Sequence, residues 1–177
     1  IKKTNKNNLN IIISKSGNTL ETISNSNIIL GKNSKNLFIT ENSQNYLMKL
    51  AYKLKSEIIE HRNYIGGRYS VLSEVGMVPA ELMGLDIKKF KRLNHLINNK
   101  KFMRNIIQNV SAILLFAKRK KNLSVILNYD ESSNKLFEWY QQLVSESLGK
   151  KSKGIIPLIS TMPKDNHALM QYFFVGP

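Results

Sequence analysis

The stretch ISKSGNTLET, at Ile13–Thr22, decides the fold because it joins a strand pattern to a helix pattern through a polar turn. The apolar, β-branched run Leu9–Ile13 predicts a short buried strand. From Thr19 onward the pattern is helical, with Asn18 as the expected N-cap. The turn therefore delivers hydroxyls, a cation and free backbone N–H groups to a helix N-terminus, which is the chemistry of a phosphate-binding loop.

Two interpretations of this loop stay open on its residues alone. Ser, Gly, Asn and Thr also build ordinary strand-to-helix turns. The absence of any carboxylate from residues 1–20 and the concentration of hydroxyls favour an anion site. Neither GxxxxGK[ST] nor GxGxxG occurs in the chain, so a phosphate group is indicated and a nucleotide is not.

Composition narrows the class of protein. A chain of 177 residues suits one domain or pieces of two, and because it begins at Ile1 without a methionine we expect an internal fragment of a longer protein. The lack of cysteine excludes disulfides and thiolate metal sites and fits a reducing, cytoplasmic location. The apolar run Ala112–Ala117 is too short to span a bilayer, so no membrane partner is expected.

The net charge of +15 raises the possibility of a nucleic-acid partner. The lysines, however, lie mostly in polar runs such as Lys118–Lys121, in a chain also rich in Asn and Ile. Zinc-finger spacing and RNA-binding aromatic signatures are both missing from the sequence. We therefore interpret the charge as a solvated basic surface and expect no nucleic-acid partner.

Strand and helix patterns alternate along the chain. Alternation of this kind predicts the α/β class, with parallel sheets and right-handed crossovers. The predicted strands cover 9–13, 36–40, 56–60, 124–128 and 155–160. The predicted helices cover 19–30, 43–55, 69–98 with interruptions near Pro79 and Gly84, 102–118, 131–148 and 167–174. Ligands of such sheets sit at the carboxyl ends of strands, where residues 14–19 lie.

Three further motifs each admit a structural and a functional interpretation. Tyr64–Ser70 places Arg68 after two glycines at a helix start, which also describes a turn with a surface arginine. Glu146 lies four residues before Lys150 near the end of a helix, as an i,i+4 surface pair does. His167 follows a strand at a helix start, where capping imidazoles are common.

Taken together and in this order, four stretches resemble the phosphoglucose isomerase family. ISKSGNTLET is similar to its phosphate segment in the SKSGNT form, and IGGRYSVLSEVGMVPAELMG at 65–84 is similar to its GGRYS signature. FEWYQQLVSESLGK at 137–150 resembles its signature QLxMESNGK, with Ser145 and Leu148 where Met and Asn are usual. PKDNHALMQYFFVGP at 163–177 is similar to its histidine segment.

The resemblance implies a fold and a domain arrangement. The fold is the parallel-sheet sugar-isomerase (SIS) fold, with parts of two three-layer αβα domains. Residues 1–60 correspond to the C-terminal part of the first SIS domain, 61–100 to a helical connecting segment and 101–177 to the N-terminal part of the second. The family's upstream Gly-Gly-Ser loop and C-terminal catalytic lysine fall outside these residues, so we expect the fragment alone to be inactive.

The resemblance also implies an activity, the interconversion of glucose 6-phosphate and fructose 6-phosphate through a cis-enediol in glycolysis and gluconeogenesis. Glu146 matches the family's base, Arg68 the cation beside the enediolate, and His167 the ring-opening residue supplied across a homodimer interface. The matches to phosphate-binding positions are Ser14, Lys15, Ser16 and Thr19, and those to sugar-binding positions are Gln142 and Gly67. No metal or organic cofactor is implied.

A second hypothesis keeps the same fold without this chemistry. A non-catalytic sugar-phosphate-binding SIS module, or an isomerase of different sugar-phosphate specificity, would retain residues 14–19. Such a protein need not keep Arg68, Glu146 and His167 together. Their joint presence, in order, favours the enzyme.

Overall fold

The structure is a computed structural model that describes residues 8–31 and 34–176. In this part of the chain the strands are β1 Leu9–Ile13, β2 Lys35–Glu41, β3 Glu57–His61, β4 Leu123–Asn128 and β5 Ile156–Thr161. The α-helices are α1 Leu20–Ile29, α2 Tyr46–Lys53, α3 Glu74–Leu82, α4 Lys100–Lys118, α5 Asn134–Leu148, α6 Lys164–Ala168 and α7 Met170–Val175. Short 3₁₀ segments cover Gly67–Leu72, Ile87–Asn98 and Glu131–Ser133. Among these described helices, none is both long and apolar enough to cross a bilayer.

The chain divides into two units, Ile1–Arg92 and Leu93–Pro177. The first unit contains a three-stranded parallel sheet in the order β1-β2-β3. Ile12, Phe38 and Ile58 are partners across the three strands and so share one face of the sheet. Leu47 and Ala51 of α2 pack against that face, which makes the buried core of the unit.

The second unit contains the parallel pair β4-β5. Helix α5 packs on β5, and the Gln141 side-chain amide donates to the Pro157 carbonyl across 2.7 Å. Beyond the ladder, the Met162 amide donates to the carbonyl of Asn128 at 2.8 Å. Both sheets are parallel and both are connected through helices, so the predicted α/β class is confirmed.

Helix α1 begins differently from the prediction. Thr19, not Asn18, occupies the N-cap position, and its side chain makes no capping hydrogen bond. The Asn18 side-chain oxygen instead accepts from the Tyr46 amide at 2.9 Å, at the start of α2. The prediction for Asn18 was wrong because the turn directs its carboxamide toward the neighbouring helix rather than along its own.

The predicted helical stretch 69–98 is three separate pieces, two of them 3₁₀. Pro79 lies inside α3 and does not end it, since a proline removes only one hydrogen bond and the Met83 amide still donates to the Pro79 carbonyl at 3.0 Å. Gly84, with φ 78°, ends the helix. The Gly84 amide donates to the Glu81 carbonyl, and the Leu85 amide donates to the Ala80 carbonyl, both at 2.9 Å. These two hydrogen bonds close the helix as a Schellman motif.

The last predicted helix, 167–174, also differs. Helix α6 begins at Lys164, so His167 is its fourth residue rather than its first. A break at Leu169 then separates α6 from α7. The predicted boundary was wrong because the helix starts directly after Pro163, which occupies its N-cap position.

The loop between β1 and α1 is fixed by backbone hydrogen bonds to β2. The Ser14 amide donates to the Ile39 carbonyl at 3.1 Å, and the Glu41 amide donates to the Lys15 carbonyl at 3.0 Å. Gly17 follows with φ 62°, a conformation that favours glycine. Its carbonyl accepts from the Leu47 amide at 3.1 Å, so the loop is joined to α2 as well.

The buried side chain of Asn45 packs against this loop. It is 2% exposed, and its side-chain oxygen caps α2 by accepting from the Met48 amide at 2.8 Å. Its side-chain NH₂ donates to the Thr40 hydroxyl at 3.1 Å, and that hydroxyl donates to the Lys15 carbonyl at 3.2 Å. A Cβ placed on Gly17 would lie 2.0 Å from the Asn45 oxygen, so only glycine fits above this carboxamide.

We predict that Gly17→Ala destabilises the protein strongly. The left-handed backbone costs an L-residue about 1–2 kcal/mol, and the clash with Asn45 adds about 1–3 kcal/mol of overpacking, so the free energy of unfolding should fall by about 2–5 kcal/mol. Urea unfolding measures this free energy. Gly31→Ala is the matched control, because its added Cβ has no atom within 4 Å among the described residues beyond its own chain neighbours. Equal effects of the two substitutions would contradict the proposed constraint.

Candidate functional site

Three hydroxyls of the β1–α1 loop lie together at the carboxyl end of the first sheet. The Ser14 and Thr19 hydroxyl oxygens are 2.8 Å apart, and those of Ser16 and Thr19 are 3.5 Å apart. The Asn18 amide donates to the Ser16 hydroxyl at 3.3 Å. Thr19 also stands at the N-terminus of the ten-residue helix α1, whose first amides carry partial positive charge. The predicted phosphate-binding hydroxyls thus form one cluster.

The Lys15 side chain contacts the segment that precedes Arg68. Its ammonium donates to the carbonyls of Asn63 at 2.7 Å and Ile65 at 2.9 Å. An ammonium has three N–H donors, and these two contacts use two of them. Lys15 therefore links the hydroxyl cluster to the segment that leads into Gly66-Gly67-Arg68.

Arg68 lies in the 3₁₀ segment Gly67–Leu72 and is half-buried. Its guanidinium carbon is 5.4 Å from the centroid of the Tyr69 ring, a cation–π distance. The Tyr69 amide donates to the Gly66 carbonyl at 2.9 Å, and the buried Ser70 hydroxyl donates to the Gly67 carbonyl at 2.6 Å. The turn that carries Arg68 is therefore closed by its own hydrogen bonds.

In the second unit the structure brings Gln142 and Glu146 together. They lie one turn apart on α5, and the Gln142 side-chain NH₂ donates to a Glu146 carboxylate oxygen at 2.9 Å. Lys150 lies beyond the end of α5 and pairs with Lys153 in a tight turn. Lys150 therefore lies outside the helix that carries Glu146.

His167 is exposed on α6, and Asp165 anchors that helix to the end of β5. One Asp165 carboxylate oxygen accepts from the Thr161 amide at 2.7 Å and the Ser160 hydroxyl at 3.0 Å. These two hydrogen bonds, the first above all, lower the pKa of the Asp165 carboxyl below its usual range. A charged Asp165 therefore fixes the helix on which His167 stands.

Each of the five strands has a buried polar residue at or next to its carboxyl end, and sequence reasoning missed most of them. Buried polar side chains at strand ends, hydrogen-bonded to the following loop, are the signal that was available. They are Ser14, Thr40, His61, Asn128 and Ser160, and none is more than 7% exposed. Within the described residues, no three His, Asp or Glu side chains group as a metal site.

Residues 1–156 match the phosphoglucose isomerase family. The glucose-6-phosphate isomerase of Methanocaldococcus jannaschii is 37% identical over 177 residues, with 93% of this chain and 44% of the relative covered. That of Mycoplasmopsis pulmonis is 30% identical, with 93% and 42% covered. The crystal structure of a hypothetical protein from Thermus thermophilus matches with a TM-score of 0.79 at 26% identity, covering 99% of this chain and 46% of that one.

The chain spans less than half the length of these relatives. Their similarity nevertheless runs through both units, and the family match includes the hydroxyl cluster, Arg68, Gln142 and Glu146. The chain belongs to the phosphoglucose isomerase family.

Proposed function

We propose that the protein carrying these residues is a glucose-6-phosphate isomerase, which interconverts glucose 6-phosphate and fructose 6-phosphate through a cis-enediol in glycolysis and gluconeogenesis. The observation that carries the proposal is the family match over residues 1–156, since that segment includes the hydroxyl cluster, Arg68 and Glu146. The named relatives that are similar over 93% of this chain support it.

The hydroxyls of Ser14, Ser16 and Thr19 bind the substrate phosphate in this proposal. Their mutual distances of 2.8–3.5 Å support a common ligand, and the remaining N–H of Lys15 adds positive charge. The phosphate is remote from the reacting C1 and C2, so its binding energy orients the sugar for reaction.

Glu146 acts as the base that takes the proton from C2 and returns it to C1. One carboxylate can serve both carbons because they are adjacent. Gln142 donates to the carboxylate at 2.9 Å and so orients the base. Gln142 and Gly67 both contact the sugar. The guanidinium of Arg68 stabilises the enediolate, because it stays charged and the Gly66-Gly67 turn fixes its backbone.

His167 opens the cyclic substrate from across a homodimer interface, a role for which its exposure on α6 is suitable. The reaction moves protons between neighbouring carbons and exchanges no electrons with an external acceptor, so we assign no cofactor. We place the protein in the cytoplasm, where the sugar phosphates of glycolysis are found.

The first test of the proposal removes the base. In the complete protein, Glu146→Gln keeps the shape of the side chain but cannot accept a proton, so kcat should fall by about 10²–10⁴-fold or more. Binding of glucose 6-phosphate should be retained, because the hydroxyl cluster is untouched. A coupled assay measures turnover and calorimetry measures binding.

Glu138→Gln is the matched control, since Glu138 lies on the same helix and makes a surface pair with Lys135 at 2.7 Å. It should leave kcat unchanged. Unimpaired turnover by Glu146→Gln would remove Glu146 from the mechanism. If the unmodified protein binds glucose 6-phosphate without converting it, the non-catalytic SIS module is the correct interpretation.

A second test addresses the phosphate loop. Thr19→Val preserves side-chain shape and removes one hydroxyl from the cluster, and a hydrogen bond to a charged group contributes about 1.5–3 kcal/mol. The Kd for inorganic phosphate should therefore rise about 10–150-fold, as measured by calorimetry. Thr22→Val, one turn further along α1, should leave that Kd unchanged. Equal phosphate affinity in both variants would mean that the loop is an ordinary strand-to-helix turn and not a phosphate site.

A further inference from the structure

The carbonyl oxygen of Ile65 receives two hydrogen bonds immediately before the turn that carries Arg68. The ammonium of Lys15, from the β1–α1 loop, donates to it at 2.9 Å, and the Nε2 atom of His61 lies 3.1 Å from it. A carbonyl oxygen has two lone pairs, so these donors saturate it. Two residues far apart in sequence thus fix the same peptide unit.

His61 is the last residue of β3 and is 1% exposed. Its Nε2 faces a carbonyl oxygen, and its Nδ1 faces a carboxylate oxygen of Glu74, the first residue of α3. Each ring nitrogen thus faces one of two groups that can accept a hydrogen bond. The ring therefore connects the Ile65 carbonyl to Glu74, which is present as a carboxylate.

The surroundings of Glu74 support this charge state. The same carboxylate oxygen accepts from the Arg62 amide at 3.2 Å. Partial burial by itself would raise the pKa of the Glu74 carboxyl, but hydrogen bonds from its own amide, from His61 and from Arg62 together lower that pKa below its usual range. Glu74 is therefore a carboxylate that accepts three N–H donors.

Other charged residues of the described part of the chain lie near His61 on the β1–α1 loop, on β2 and on β3. Lys15 approaches the same Ile65 carbonyl from the β1–α1 loop, and Glu41 is the register partner of His61 on β2. Glu60 precedes His61 in the chain and Arg62 follows it.

The Ile65 carbonyl is separated from Arg68 by two glycines, Gly66 and Gly67. Glycine is flexible in a free chain, but here the Gly66 carbonyl accepts from the Tyr69 amide at 2.9 Å and the Gly67 carbonyl from the Ser70 hydroxyl at 2.6 Å, so both glycines are held in the turn. A displacement of the Ile65 peptide is therefore passed to the turn that carries Arg68.

We propose that His61 is a positioning residue for the isomerase reaction, which, paired with Glu74, fixes the Ile65 carbonyl and thereby the backbone of Arg68. This proposal rests on the proposed function, because it concerns the arginine that stabilises the enediolate. Loss of the imidazole, or of the Glu74 carboxylate that orients it, removes the support on one side of the Ile65 carbonyl. Turnover should then fall while the hydroxyl cluster still binds phosphate.

The test combines a direct reading of the ring with a kinetic one, on the complete protein. Nitrogen-15 NMR reports whether the His61 Nε2 carries the proton that it donates to Ile65, and steady-state kinetics gives kcat and KM. In Glu74→Gln the side-chain shape stays but the charged partner of the ring is lost, so the ring resonances should shift and kcat should fall by about 10–100-fold with KM little changed.

Two variants sharpen the result. Glu60→Gln removes an exposed carboxylate next to His61 in the chain, on the other side of the strand, and should change neither the ring resonances nor kcat. His61→Gln has both of its N–H donors on one nitrogen, so it cannot face the two acceptors with two separate nitrogens as the ring does. It should lower kcat by about 10–100-fold and leave KM close to that of the unmodified protein.

The outcomes separate this proposal from the proposed function. A His61 Nε2 without a proton in the unmodified protein, or an unchanged kcat in Glu74→Gln and His61→Gln, overturns the positioning role alone. Absence of turnover in the unmodified protein overturns the proposed function, and with it the catalytic part of this proposal. A lower kcat in both variants with KM retained supports it, and the unfolding midpoint of each variant shows that the fold is retained.

Discussion

The carboxamide of Asn45 lies directly against the backbone of Gly17, and this contact joins the end of β1, the end of β2 and the start of α2. The same buried side chain caps α2 and holds Thr40, whose hydroxyl reaches the Lys15 carbonyl. The conformation of the β1–α1 loop is therefore set by one packed, fully hydrogen-bonded group, since polar groups this deeply buried must be satisfied. The clustering of the loop hydroxyls and the direction of Lys15 both depend on it.

Hydrogen bonds connect that loop to the turn that carries Arg68. Lys15 holds the Asn63 and Ile65 carbonyls from one side, and His61 with Glu74 holds Ile65 from the other. The first unit thus connects the hydroxyl cluster to the turn of Arg68 through hydrogen bonds rather than through a hydrophobic core. In the proposed reaction, the binding energy of a remote phosphate can lower the barrier only if the groups at the reacting carbons are held in place, and these connections would hold Arg68.

Much of this could be predicted from the sequence, because the signals are local. All five strands were predicted within two residues of their observed ends, since β-branched runs such as Leu9–Ile13 are bounded by clear turn residues. The α/β class followed from their alternation with helices. What failed depends on contacts between distant residues. Asn18 bonds to Tyr46 and not to α1, and the buried roles of Asn45 and His61 require partners that no local pattern reveals. The assignment of Glu146, Arg68 and His167 to their chemistry came from family resemblance and stays a prediction.

We propose that a protein carrying this segment moves a proton between C2 and C1 of a sugar phosphate through an enediol. The decisive measurement is the conversion of glucose 6-phosphate by the complete, unmodified protein in D₂O, continued for many passages through the equilibrium and followed by NMR of the products. We predict that fructose 6-phosphate forms with solvent deuterium at C1, because a proton held on a carboxylate exchanges with solvent. No deuterium at C1 after many passages would indicate a direct hydride shift and contradict the role of Glu146, and no conversion at all would contradict the isomerase itself.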